Sequence, residues 1–291
     1  MLNHLILPSK GKQKGGSQMS VITISKQLGS LGTEIAQAVA SRLSYQYVNK
    51  ERIEKSLTGY GVPAITIERL DEKKPPFWDF YQLQRRRFLH SLEAVIYEFA
   101  RNGNVVIVGR GGQVLLKDLP GVFHVRIMAP WDVRLERILP LEGGDEKKAA
   151  RLLRRSDHDS AGFLRTFFDV NWESQDLYDL IINTAKLSVE SGTNVIIESI
   201  SSPEIQKGGK EVEAKLADLA LTQKVEAILM RILEMGFGNV TVKVKGGVVS
   251  LNGHVTSETL KENSLQAIAQ VEGVNRVEAS QLHVWAAYYG P

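Results

Sequence analysis

The stretch SKQLGSLGTE (25–34) follows directly on the apolar run Val21-Ile22-Thr23-Ile24. Gly29 and Gly32 allow a tight turn, and the amides at the start of the helical pattern that opens near Thr33 would face an anion, so the chemistry open to this stretch is phosphate binding. A complete phosphate-binding loop ends in Gly-Lys-Ser/Thr. Here those positions read Gly32-Thr33-Glu34: the lysine is absent, and an acid stands where a metal-binding hydroxyl would be. Lys26, one residue past the apolar run, is the nearest cation in sequence that can supply the missing charge, although a lysine in that place can equally be a solvated side chain. Taken alone, the loop is either a phosphate cradle or a plain strand-to-helix turn.

Two further groups of cations invite the same chemistry. Arg110 lies just past the apolar run VVIV (105–108), with Gly109, Gly111 and Gly112 leaving room beside it. The segment RLLRRSDHDSAGFLRTFF (151–168) carries Arg151, Arg154 and Arg155 along one side of a helical pattern. A solvated basic face reads the same way. The absence of cysteine removes disulfide scaffolds, thiolate metal sites and cysteine nucleophiles together.

The elements that must hold these groups alternate. VITIS (21–25) is a buried strand, and Ile35, Ala36, Val39, Ala40 and Leu43 recur at helical spacing after it. A short strand at 45–48, a break at Pro75-Pro76, and a long helix from Phe80 to Arg101 precede VVIVG. Strands at 123–128 and 178–183 flank a helix opened by Pro130. Strands separated by helices predict an α/β domain with a parallel sheet that binds ligands at the carboxyl ends of its strands. NVIIESI (194–200) has a strand's run length but the position of a closing helix, and helix is expected.

SSPEIQKGGKE (201–211) marks a linker, placed at 206–215. Beyond it the pattern changes to a helix over 216–235, a hairpin of alternating Val240, Val242, Val244 and Val249, Leu251 turning at Gly246-Gly247, a helix from Ser257, and a strand over 277–285. This is a small α+β module.

No window holds the roughly 20 apolar residues of a membrane span. The first 19 residues carry Lys10, Lys12 and Lys14 after a short apolar patch, an order unlike a signal peptide, and are expected to be a disordered basic tail, with Met19 an alternative start. The whole chain has a net charge of +3, matched by that tail, so the remainder is balanced and no nucleic-acid surface is expected. A cytoplasmic protein is expected.

Five collinear segments, ITISKQLGSLGTEIA, RLDEKKPPFWDF (69–80), VVIVGRGGQVLL (105–116), HVRIMAPWDVRLERI (124–138) and LYDLIINT (177–184), resemble the cytidylate kinase-like family of bacterial nucleoside-monophosphate kinases over residues 20–205. That family often lacks the loop lysine too. The resemblance implies a five-stranded parallel sheet with VITIS central, ATP with Mg2+ as phosphoryl donor, and a nucleoside monophosphate, CMP or another pyrimidine nucleotide, as acceptor. It places Gly29, Ser30, Leu31, Gly32, Thr33 and Glu34 against ATP and gives Arg110 the acceptor's phosphate, with Gly111 where better-known members have an acid. It makes 151–168 a lid over ATP, in which Asp157 matches a lid acid, His158 and Ser160 stand in place of arginines, and Arg165 compensates from the next turn. Asp179 is a further acid matched by resemblance only. Phosphoryl transfer is mostly positioning and charge neutralisation, so the expected catalytic set is Lys26, Arg110, Arg155 and Arg165, the acceptor set Arg110, Asp157 and Asp179, with no metal ligands assigned from the protein. His158 has no role as a base.

Residues 216–284 resemble a BON domain through VTVKVKGGVVSLNGHV (240–255), AIAQVEGV (267–274) and VEASQLHVW (277–285). That implies a non-catalytic module for a small hydrophobic ligand, a membrane surface or a protein partner. Trp285, Tyr288 and Tyr289 form an apolar tail that docks on a partner or covers the module's own core. The competing reading of the whole chain is a nucleotide-binding sensor with little turnover, favoured by the missing lysine, Gly111 and the thinned lid.

Overall fold

A computed structural model describes residues 20–59, 62, 78–117, 119–205, 209–233 and 239–285. The basic tail, Pro75-Pro76, Tyr288 and Tyr289 lie outside these described residues. The chain divides into two compact units, one of residues 1–72 and 102–209, the other of residues 73–101 and 210–291.

The first unit is built on β1 (Val21–Lys26), β2 (Gln46–Val48), β3 (Val105–Val108), β4 (Val122–Met128) and β5 (Leu180–Asn183). All pair in parallel, in the order β2-β3-β1-β4-β5, so β1 is central as expected. Such strands are buried on both faces and read as unbroken apolar runs rather than alternating ones. The helices are α1 (Gly32–Leu43) and α2 (Lys50–Gly59). On one sheet face Ile35, Ala36, Val39 and Ala40 of α1 pack with Ile22, Ile24, Val106, Val108, Val125 and Ile127. The segment around Asn194 is helical: it belongs to a helix from Val189 to Ile200 whose Ser188 cap accepts the amide of Ser191. Gly192, Thr193, Ile196 and Ile200 are buried, two of them adjacent in sequence, which is helical and not strand periodicity.

The second unit contains the long helix α3 (Trp78–Arg101), a further long helix from Gly209 to Leu233, and the strands β6 (Val240–Lys245), β7 (Val248–Val255) and β8 (Arg276–Val284). β6 and β7 are antiparallel, β7 and β8 parallel. Of the expected linker, 209–215 is helical. Val212 and Leu216 continue the four-residue burial rhythm of Ala220, and the helix begins about two turns before Leu216. Leu221, Val225, Leu229 and Leu233 pack on Val240, Val242, Val249, Leu251, Leu282 and on Ile268 of the helix Glu258–Ala269. Trp285 covers no core: it is 69% exposed, with its ring 4.9 Å from that of His254.

α3 lies within the kinase-like stretch by sequence but clusters with the second unit. Its polar contacts explain this. His90 Nδ1 is 2.6 Å from Gln223 Oε1 and 2.9 Å from Glu226 Oε2, Lys224 pairs with Glu98, and Arg87 donates to the Met230 carbonyl. Glu93 also faces His90, and Tyr97 lies beside Glu93 and Glu226. Burial pushes Glu93 up from 4.5 to about 7, with His90 opposing and Glu226 adding to the shift. Burial opposes the charge on His90, but its bonds to Glu226 and Gln223 outweigh burial and raise it. Both groups then bind protons more tightly folded than unfolded, so stability falls as pH rises through this window. The thermal midpoint of the second unit is expected to drop between about pH 5 and pH 8, less steeply in Glu93→Gln. Melting at several pH values checks this, and equal slopes for both proteins would contradict it.

Candidate active site

The loop after β1 turns through left-handed residues, Gly29 at φ 77° and Leu31 at φ 61°. Its carbonyls are all drawn away from the front of the sheet. The Ser30 hydroxyl, fully buried, lies 2.7 Å from the Gln27 carbonyl and 3.1 Å from that of Ile127. Thr184 donates its hydroxyl to the Ser30 carbonyl, and Arg137 donates to Gly29 O at 3.1 Å and to Thr184 O at 2.8 Å. What remains in front are the first amides of α1, and its N-cap residue, Leu31, has no side chain to satisfy them. Orphan amides with the positive end of a helix dipole form an anion site.

Lys26 folds back over that loop. A Cβ placed on Gly32 would sit 2.6 Å from the Lys26 Cβ and 3.2 Å from its Cδ, so glycine is required where the lysine stem crosses α1. Burial lowers the Lys26 pKa below its ordinary value, partly offset by the charges of Glu34 and Glu51. Gly32→Ala is therefore expected to displace the Lys26 stem, with a stability loss of about 1–3 kcal/mol for overpacking. Denaturant unfolding measures the loss, and a neutral result would mean that the stem is not held there.

Arg110 ends β3. It takes φ 53° between Gly109 at 78° and Gly111 at 75°, a left-handed run that costs a non-glycine residue of order 1–3 kcal/mol and persists where surroundings enforce it. Its side chain, nearly buried, pairs with Glu54 of α2 and lies 5.1 Å from the Phe163 ring centroid. Phe163 belongs to the helix Glu146–Phe168, which is continuous through the expected lid.

Lys26, Thr33, Arg110 and Arg155 meet in one cavity of about 590 Å³ at the carboxyl ends of β1, β2 and β3. Gly29, Ser30, Leu31 and Gly32 form the turn behind it. Four expected site residues, Arg165, Asp157, Asp179 and Glu34, lie elsewhere. Arg155, Asp159 and Phe163, four apart, form the helix stripe lining the cavity, and Arg165 falls off that stripe into solvent. Asp157 holds Arg134 in a two-point ion pair at 2.8 and 2.9 Å, and Arg134 in turn reaches the Leu28 carbonyl, so this acid braces the loop from behind. Asp179 accepts the His124 amide at 2.7 Å and returns its own amide to the His124 carbonyl, extending the β4–β5 pairing. Glu34 is exposed and acts on Lys26 only through its charge.

The cavity also recruits Tyr47 and Lys50 from the β2 edge, Gln113 from the short helix Gly112–Leu115, and Trp172. Trp172 is fixed by its Nε1–H to Ser25 Oγ at 2.7 Å and by the buried Arg126 guanidinium, 4.5 Å from its ring. Sequence patterns carried little sign of these, although Gln113 lies within the quoted VVIVGRGGQVLL.

A model of the cytidylate kinase-like family matches residues 21–186, more than half of the chain. The chain belongs to the cytidylate kinase-like family. Curated relatives of this cytidylate kinase-like chain include cytidylate kinase of Methanocaldococcus jannaschii, 25% identical over 186 residues that span 62% of this chain and 98% of the relative. Cytidylate kinase of Ignicoccus hospitalis is 27% identical over 62% of this chain and 97% of its own length. An uncharacterized protein from Eubacterium ventriosum shares the fold, with a TM-score of 0.50 and 22% identity over 63% of this chain and 99% of that one. Residues 217–285 match a BON domain. No helix among the described residues is long and apolar enough to cross a membrane.

Proposed function

We propose that the chain transfers the γ-phosphoryl group of ATP to a nucleoside monophosphate, a pyrimidine nucleotide such as CMP. The observation that carries this reading is the convergence of two cations, the half-buried Lys26 and the buried Arg110, on one cavity in front of the uncapped α1 amides. The ATP phosphates fit those amides, which have no other anion to meet, with Lys26 beside them supplying the charge that a loop lysine would. The Thr33 hydroxyl at the head of α1 is the side-chain oxygen that suits magnesium, which when bound with ATP would neutralise phosphate charge.

In the reaction an acceptor phosphate oxygen bonds to the γ-phosphorus as the bond to ADP breaks, and the electron pair leaves on the ADP oxygen. Little covalent help is needed, and the protein's work is to align the two phosphates and neutralise them. Arg110 exchanges its Glu54 partner for the acceptor phosphate, a two-point partner matched to a guanidinium. Arg155, paired with Asp159 at 3.7 Å on the cavity wall, supplies a further positive charge to the transferring group from the lid stripe. The BON domain serves as an accessory binding module. A phosphoryl-transfer screen with ATP and magnesium against the common nucleoside monophosphates tests the reading. ATP binding with no transfer to any of them would replace it by the nucleotide sensor.

A further inference from the structure

Gln113 is a polar side chain that the fold leaves unserved. It is 3% exposed, lines the cavity, and has no hydrogen-bond partner for its carboxamide among the described residues. Ser25, another buried polar group on the same cavity, is already engaged by the Trp172 indole N–H. Buried donors and acceptors are almost always paired, and one left open beside a cavity is poised for a ligand. The rest of the wall says which ligand. Gln113 follows Arg110 by three residues, in the short helix Gly112–Leu115 that opens just after it, which groups it with the acceptor side assigned to Arg110. Phe163 and Trp172 line the same cavity and give it apolar wall of the kind that suits a base.

We infer that Gln113 reads the edge of the acceptor's base, accepting from an exocyclic amino group and donating to the adjacent ring nitrogen, as N4 and N3 of cytosine present them. This deepens the proposed kinase reading and rests on its acceptor site. A carboxamide is the side chain that offers a donor and an acceptor side by side. It also supplies the base recognition that Gly111, in place of an acid, does not.

The experiment is calorimetric titration of the full-length protein with CMP, with the same nucleotide lacking its 4-amino group, and with ribose 5-phosphate. The wild type is expected to bind CMP about tenfold or more above either comparator, the scale on which a site built for a polar group rejects a ligand without it. Gln113→Leu should bind CMP and its deaminated analogue alike, with ribose 5-phosphate unchanged. Gln113→Glu keeps an acceptor for the amino group and should keep the preference for CMP over the analogue. That ratio does not depend on the folded fraction of either variant. The inference is overturned if the wild type does not distinguish the three ligands, or if Gln113→Leu retains the CMP preference within twofold. CMP preference in the wild type, lost in Gln113→Leu, with no phosphoryl transfer from ATP, would sink the kinase reading and leave this inference standing.

Discussion

Lys26→Ala is expected to lower turnover about 100-fold to 1,000-fold while ATP still binds, the scale of removing one preorganised donor from a developing charge. The loop lysine of other phosphate-binding loops is missing, and among the described residues at this cavity Lys26 is the cation whose stem is locked against the loop itself. Ground-state ATP has the α1 amides to hold it, so affinity changes modestly, whereas the charge that shifts between phosphates in the transition state has lost its neighbour. A pH profile separates this role from a packing one. The active form is the protonated amine, and burial lowers its pKa, so turnover falls on the alkaline side earlier than for an ordinary lysine. Lys26→Arg, always charged, should remove that fall even at reduced rate. Unchanged turnover in Lys26→Ala would mean that the neutralising charge comes from another side chain.

Arg110→Ala should cost about 2–4 kcal/mol of transition-state stabilisation, roughly 30-fold to 1,000-fold in kcat/KM. The loss belongs to the acceptor side, so the KM for the nucleoside monophosphate rises and ATP binding stays near that of the wild type. Its backbone argues for function over packing, since a glycine would occupy the left-handed position between Gly109 and Gly111 without strain. Steady-state kinetics with each substrate varied in turn provide the check. Turnover retained within a few fold would make Arg110 a structural partner of Glu54 and Phe163 alone.

Much of the sheet was legible because parallel strands buried on both faces are written as β-branched runs, as in VITIS and VVIV. α2 was not, since KERIEKSLTG contributes only Ile53 and Leu57 to the core, a signal of two residues. In the site, Lys26 and Arg110 stood out because each ends an apolar run, where a parallel sheet presents its ligands. The lid arginines were harder: charge composition counts Arg155 and Arg165 alike, and only the phase of the helix assigns one to the cavity and the other to water. Asp157 and Asp179 matched by position but were taken by Arg134 and the His124 amide, partners remote in sequence. Gln113 had no signal of its own, because an unpaired amide is visible only once its neighbours are placed.

The grouping of α3 with the second unit carries a consequence for biosynthesis. The ribosome releases α3 about a hundred residues before the helix that begins at Gly209, several seconds at ordinary elongation rates. During that interval His90 and Glu98 wait for Gln223, Glu226 and Lys224, which have not yet been made. The nascent chain must therefore carry an unmatched amphipathic helix through the synthesis of most of the five-stranded sheet, a natural point of engagement for a holdase chaperone. Expression of residues 20–205 alone would make that interval permanent.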